Sequence, residues 1–121
     1  MPTLYAANDA LNTLNRNDIS EIKMNQNPHA QVKFTLECVS ILLQEKDDWE
    51  SVRKTISDIN FITRLKNLDV YHIATKVEVT IKGKLKTNAN FKPHEIKQIN
   101  FAAKSLCEWV LAVVSFHEVN K

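Results

Sequence analysis

Apolar residues recur in alternating steps of three and four near both ends of this chain. Leu4, Ala7, Leu11 and Leu14 keep the rhythm in the first stretch, Asp18 interrupts it, and Ile19 and Ile22 resume it. In the last stretch Leu106, Trp109, Val113, Phe116 and Asn120 repeat the same spacing. The pattern predicts helices over 3–26 and 94–121, each with one apolar stripe. The economical way to cover both stripes is to lay the helices against each other, antiparallel. Two ordinary amphipathic helices of a bundle would show the same periodicity. Neither stretch carries a helix-ending glycine, so both are expected to run on beyond the chain and to hold a compact middle between them.

The middle is punctuated into short helices. Pro28 suits the first turn of a helix, where its missing N–H costs nothing, and it pushes Asn27 out of helical geometry, so the chain should bend there and restart. From Ala30 to Gln44, Val32, Leu36, Val39 and Leu43 fall on one face, with Lys33, Glu37, Ser40 and Gln44 on a polar stripe beside it. Asp48 is placed to cap a third helix reaching Ile56, and Asp58 or Asn60 to open a short fourth one carrying Phe61, Ile62 and Leu65. Residues 69–90 fit two periods: Val77, Val79 and Ile81 alternate as in a strand, while Ile73, Val77, Ile81 and Leu85 step by four as in a helix. A helix to about Lys82 is the primary reading, and the β-branched run keeps a short hairpin over 76–88 open. Thr87 to Lys92 then forms a polar loop with Phe91 tucked inward, and Pro93 starts the last helix. The expected class is all-α, a small helical bundle at the tip of an antiparallel two-helix coiled coil.

Composition narrows the chemistry. With 121 residues, 44% hydrophobic and 25% charged, the chain is one ordinary domain able to bury a core. No apolar run approaches the ~20 residues needed to cross a bilayer, and the start lacks a secretory signal, so no membrane partner and a cytosolic compartment are expected. Cys38 and Cys107 read as buried reduced thiols, lacking the paired spacing of a zinc site. Gly83 is the one glycine, so a Walker or dinucleotide loop, which needs several, does not fit. The histidines form no HExxH pair and no serine elbow occurs. Asp47 and Asp48 sit at a helix start, where a capping role outweighs acid–base work. No enzyme activity, metal or cofactor is therefore expected.

Charge is uneven. Residues 70–104 carry seven lysines against Glu78 and Glu95, a local +5 within a total of +2. Such a patch suits a polyanion, whether nucleic acid, anionic lipid or the acidic surface of a cytoskeletal polymer, and also reads as a solvated face. No aromatic stacking pattern or recognition helix accompanies it.

The run Asn27-Pro28-His29-Ala30-Gln31-Val32-Lys33, with Leu36-Glu37 and Ile41-Leu42-Leu43 behind it, resembles the junction and first tip helix of the dynein heavy chain microtubule-binding domain. Asp48-Trp49, Val52-Arg53-Lys54, Asn60-Phe61-Ile62, Phe91-Lys92-Pro93 and Lys104-Ser105-Leu106-Cys107-Glu108-Trp109-Val110 continue the resemblance in order across about residues 8–121. The Leu-Cys-x-Trp-Val ending is closer to axonemal than to cytoplasmic dyneins, which implies a ciliary or flagellar axoneme, with cytoplasm as the alternative.

This resemblance implies a division into an outgoing stalk helix (1–26), a microtubule-binding tip (27–105) and a returning stalk helix (106–121). The tip would dock where α- and β-tubulin meet, and sliding of the stalk helices would switch it between weak and strong binding through hinges at Asn27, Pro28 and Pro93. The broken seam at Asp18 suits such a device, because it brings alternative registers closer in energy; a solvent-facing Asp18 is the plainer reading. By position, the tubulin-binding residues would be His29, Lys33 and Glu37 on the first tip helix, Asn60, Thr63 and Arg64 on the short one, and Glu95, Lys97 and Gln98 at the start of the last.

Lys33 is the foremost of these residues. Gln98 stands near an expected arginine, His94 near an expected acid and Ser105 where proline is common, which weakens the carry-over in the last helix. Only eleven residues separate Trp49 from Phe61, leaving no room for the long tip hairpin of some inner-arm dyneins. The implied partners are the microtubule, the rest of a heavy chain through the stalk and, as a candidate, a leucine-rich-repeat light chain; nucleic acid is not among them. A basic helical nucleic-acid-binding or protein-interaction module is the alternative function.

Overall fold

The computed structural model describes residues 4–25 and 28–120, with side chains from Asn8 to Val119. Eight helices follow in order among the described residues: α1 (Leu4–Leu11), α2 (Arg16–Met24), α3 (Ala30–Leu42), α4 (Trp49–Ser57), α5 (Phe61–Lys66), α6 (Thr75–Lys86), α7 (Pro93–Lys97) and α8 (Phe101–Asn120). No strand occurs among the described residues, so the hairpin reading of 76–88 gives way to helix α6, which runs past Lys82 to Lys86.

The outgoing stretch is two helices instead of the single one expected over 3–26. At the break, Thr13 turns its hydroxyl back onto the Ala10 carbonyl at 2.8 Å, and Asn15 accepts the Asp18 N–H at 2.9 Å as the N-cap of α2. Short polar side chains that bond the backbone in this way compete with helix continuation, and Asn15-x-x-Asp18 is a helix-start signature that outweighs the seam period. The last stretch divides for the same reason. Asn100 accepts the Ala103 N–H at 2.9 Å, which separates α7 from α8 instead of one helix over 94–121.

The long helix α8 is the spine, and α1, α3 and α7 all pack on it. Thr13, just past the C-terminal end of α1, shares a 2.5 Å hydroxyl bond with Ser105, near the N-terminal end of α8; α1 can therefore lie along α8 only by running against it. The Thr13 hydrogen already serves Ala10, so Ser105 donates. Stepping back from Thr13 places Leu11 near the Leu106–Trp109 level of α8, about two turns from Val113 and Phe116. Leu106, Trp109, Val113 and Phe116 are all buried, as is Leu11, while Leu14 is half-buried; Leu4, Ala7 and Asn120 lie outside the described side chains.

Local chemistry explains the remaining ends. Helix α3 closes with Gln44 N–H to Ile41 O and Glu45 N–H to Ser40 O, a turn that needs a left-handed residue, supplied by Gln44 at φ 62° where a glycine would be at ease. Asp48 caps α4 by accepting the Ser51 N–H at 3.0 Å. The hydrogen bonds from Ser51 hold its carboxyl below the usual range. The cap therefore stabilises fully above the unfolded carboxylate pKa and is lost as pH falls through the lower folded value. We expect Asp48→Ala to lower Tm by roughly 3–6 °C at pH 7 and by much less at pH 3, in paired thermal melts; equal losses at both values would remove the charged cap from the account.

Two interior features depart from the sequence reading. Ser40, placed on the polar stripe of α3, is buried, because α3 is covered by α4, α6 and α8 on several sides. Phe91 is tucked in as expected and meets Phe34 edge-on at 5.1 Å. Cys38 and Cys107 are free and buried, and burial pushes both thiols up to about 12, which leaves them unreactive at neutral pH.

Candidate functional site

The polar surface of α3 begins at His29, which caps the helix by accepting the Gln31 N–H on Nδ1 at 3.0 Å. This cap spends one ring nitrogen on the backbone and leaves the exposed ring fixed at the helix start. Lys33, one turn on, is exposed. Glu37, one further turn, faces inward to α6: Lys84 Nζ lies 3.0 Å from its carboxylate, and both side chains are only about one-fifth exposed. The same ammonium sits 5.0 Å from the centre of the Phe34 ring. Lys84 could not be read from sequence as the partner of Glu37, since the two stand 47 positions apart with no periodic relation.

Pro28 and His29 share a crevice of about 210 Å³ with Ile22 and Asn25 at the end of α2 and with Ile99 and Asn100 between α7 and α8. The start of α3 and the end of α7 are thus neighbours. Pro93 opens α7 at its first position, as its missing N–H allows, and Glu95, Lys97 and Gln98 are exposed along this short helix. His94 Nε2 lies 3.5 Å from Glu95. Ile99 and Phe101 add exposed apolar surface next to them, and Lys104 places its ammonium 5.2 Å from the Phe101 ring centre. Ile99 and Phe101 were not singled out in the sequence, where no motif or apolar stripe included them. Asn27 lies outside the described residues.

The third group sits on α5, which packs on α1 and α4. Asn60 occupies the N-cap position without a side-chain cap bond, its N–H going instead to Asp58 Oδ1 at 2.9 Å. Asn60 and Thr63 are exposed. Arg64 is held by Glu45 at 2.9 Å and faces Asp58 at 3.8 Å. Any acidic partner of Arg64 must therefore compete with acids of its own chain. Of the candidate residues, the structure brings His29 to the crevice shared with the α7–α8 junction and leaves the α5 group on a separate element.

The lysine-rich segment is less basic than its composition suggests. Lys82, Lys84 and Lys104 pair with Glu78, Glu37 and Glu108 at 2.8, 3.0 and 2.6 Å, while Lys76, Lys86, Lys92 and Lys97 are exposed. Nearby carboxylates at this range cancel most of the field a polyanion would feel. Among the described residues, no group of His, Cys, Asp and Glu could hold a metal ion, and no helix is long and apolar enough to cross a membrane.

Comparison with known proteins places these features in context. The chain matches the family described as the microtubule-binding stalk of dynein motor over residues 1–121. It is 37% identical over 121 residues to human dynein axonemal heavy chain 14, 38% over 113 residues to human dynein axonemal heavy chain 2, and 32% over 121 residues to the 1-beta heavy chain of the Chlamydomonas reinhardtii flagellar inner arm I1 complex. These matches cover 100%, 93% and 100% of the chain but only 3%, 2% and 3% of those proteins. The solved structure titled microtubule-binding domain of dynein-c superposes with a TM-score of 0.82 at 30% identity, over 98% of this chain and 84% of that one.

Proposed function

This chain belongs to the family of microtubule-binding stalks of dynein motors, and on that premise we propose that it is the tip by which an axonemal heavy chain grips its track. The observation that carries the reading is the family match over the full 121 residues. Lys33 on α3 and Lys97 on α7 stand on exposed helix faces, where cations can meet acidic tubulin side chains. His29, Asn60, Thr63, Arg64, Glu95 and Gln98 complete the proposed surface, and Glu37 contributes by fixing Lys84 against α3. The chemistry that drives the motor belongs to the rest of the heavy chain, reached through the stalk, and the work is done in cilia or flagella.

Affinity is set by the relative register of the outgoing and returning helices. The broken outgoing arm supports this, since a short α1 joined to α2 by a turn can shift with little loss of continuous helix. The stretches 1–26 and 106–121 act as the arms and 27–105 as the tip, with Pro28 and Pro93 at the joints. A nucleic-acid-binding module fits less well, because, of the lysines 82–97 that it would set on phosphates, Lys82 and Lys84 are paired internally.

Co-sedimentation with microtubules tests the reading. The chain joined to a stalk base of fixed register should pellet with microtubules at low salt in at least one register, and failure in every register would overturn the proposal. Lys33→Ala should weaken binding roughly two- to fivefold with unchanged helicity, since one exposed ion pair contributes only ~0.2–1 kcal/mol. An unaltered affinity would take Lys33 out of the surface.

A further inference from the structure

The end of α2 and one face of α4 enclose a groove of about 340 Å³ lined by Lys23, Glu50, Arg53, Lys54 and Ser57. The four α4 residues stand three or four positions apart and so share a helix face, and Lys23 joins them from the last turn of α2, which packs on α4. Three cations meet there against one carboxylate. Arg64, Lys82, Lys84 and Lys104 each have an acid of this chain within ion-pair distance, whereas Lys23, Arg53 and Lys54 form no ion pair among the described residues, which include every Asp and Glu of the sequence.

The groove also holds an unmet donor. Arg53 Nε is buried and has no hydrogen-bond partner among the described residues. A guanidinium N–H taken from water without an acceptor costs stability, so an oxygen arriving there is favoured. Lys23 and Lys54 gain from the helix dipoles in the last turns of α2 and α4, but a dipole does not account for the buried Arg53 donor.

The lining selects among anions. A guanidinium takes a carboxylate through two parallel N–H bonds. The Ser57 hydroxyl donates to the Arg53 carbonyl at 2.5 Å, so its oxygen is left to accept, and the Glu50 carboxylate accepts only. Acceptors set among cations oppose a phosphate, yet suit an extended peptide, whose N–H groups they take while its acidic side chains reach the cations. No aromatic ring lines the groove to stack a base.

We propose that this groove is a second grip on the track: it binds an extended acidic segment of tubulin, with Lys23, Arg53 and Lys54 on its carboxylates and Glu50 and Ser57 on its backbone N–H groups. Helix α4 packs on α3 and α5, which carry candidate gripping residues, and Lys23 follows Ile22, a wall of the crevice at His29. The groove therefore borders that surface without sharing a residue with it. Tubulin as the source of the segment rests on the microtubule reading; the preference for an acidic peptide does not.

The test uses the chain joined to a stalk base fixed in a register that pellets with microtubules. The groove variant, Lys23→Gln with Arg53→Gln and Lys54→Gln, is compared with an equal loss of charge outside it, Lys46→Gln with Lys76→Gln and Lys86→Gln. A labelled glutamate-rich peptide should bind the groove variant roughly three- to tenfold more weakly than wild type and the control within twofold of it. Microtubules trimmed of tubulin's acidic carboxyl-terminal segments should bind wild type and control several-fold more weakly than intact ones, and the groove variant equally on both lattices. Should Arg53→Gln lower helicity, Lys23→Gln with Lys54→Gln repeats the comparison. Peptide binding that survives in the groove variant overturns the site, and displacement of the peptide by inorganic phosphate at matched ionic strength overturns its preference for a peptide. Indifference of wild type to trimming, or a groove variant as sensitive as wild type, overturns tubulin as the source. If wild type pellets on neither lattice in any register, the microtubule reading fails, and the groove stands or falls on the peptide alone.

Discussion

Replacing Trp109 with alanine should cost about 3–5 kcal/mol of folding stability, more than any surface change in the chain. Trp109 is 1% exposed on α8, the helix against which α1, α3 and α7 all pack. A side chain so placed leaves a cavity bounded by several helices at once, and none can move in to fill it without leaving another contact. Urea unfolding with the slope held in view is the measurement, and a loss below about 1 kcal/mol would mean that the spine repacks. Phe101→Ala on the same helix, at a half-exposed position, should stay within roughly 1 kcal/mol.

Ile96→Ala should cost about 2–4 kcal/mol and carry a functional penalty out of proportion to its distance from any charge. Helix α7 has five residues, too few to persist by propensity, and Ile96 is its one buried side chain. Glu95, Lys97 and Gln98 flank that anchor, so loosening it should displace all three. Microtubule affinity is therefore expected to fall further in Ile96→Ala than in Lys97→Ala, measured well below the midpoint of unfolding. If stability drops while affinity holds, α7 does not belong to the gripping surface.

The contrast between α6 and the outgoing arm shows why parts of the fold were legible and parts were not. Residues 75–86 fit both a strand and a helix, and the helix prevails because Val77 and Ile81, four apart, are the pair that is buried, while Val79 between them stays exposed. In 3–26 and 94–121 the apolar period was real but promised too much continuity. Asn15 and Asn100 cap new helices in both places, and a period counts apolar residues without weighing a single amide that bonds the backbone. Asp48, Pro93 and the inward Phe91 were legible because each acts through its own neighbours in sequence.

The nine candidate residues divide along the same line. Lys33, Lys97 and Thr63 keep the exposure that their helix positions imply. Glu37 and Arg64 do not stand open, because Lys84 and Glu45 reach them from other elements.

By itself, then, the sequence determined the all-helical class, the two apolar stripes, the Asp48 cap and the helix start at Pro93. Each of these depends on residues within about a turn or two of one another, where backbone geometry leaves few choices. Only the tertiary structure decided which charges are spent internally, where the arms break, and that Thr13 meets Ser105 across 92 positions. Those outcomes depend on how helices cross, and a charge or hydroxyl is committed only when packing brings its partner within about 3 Å.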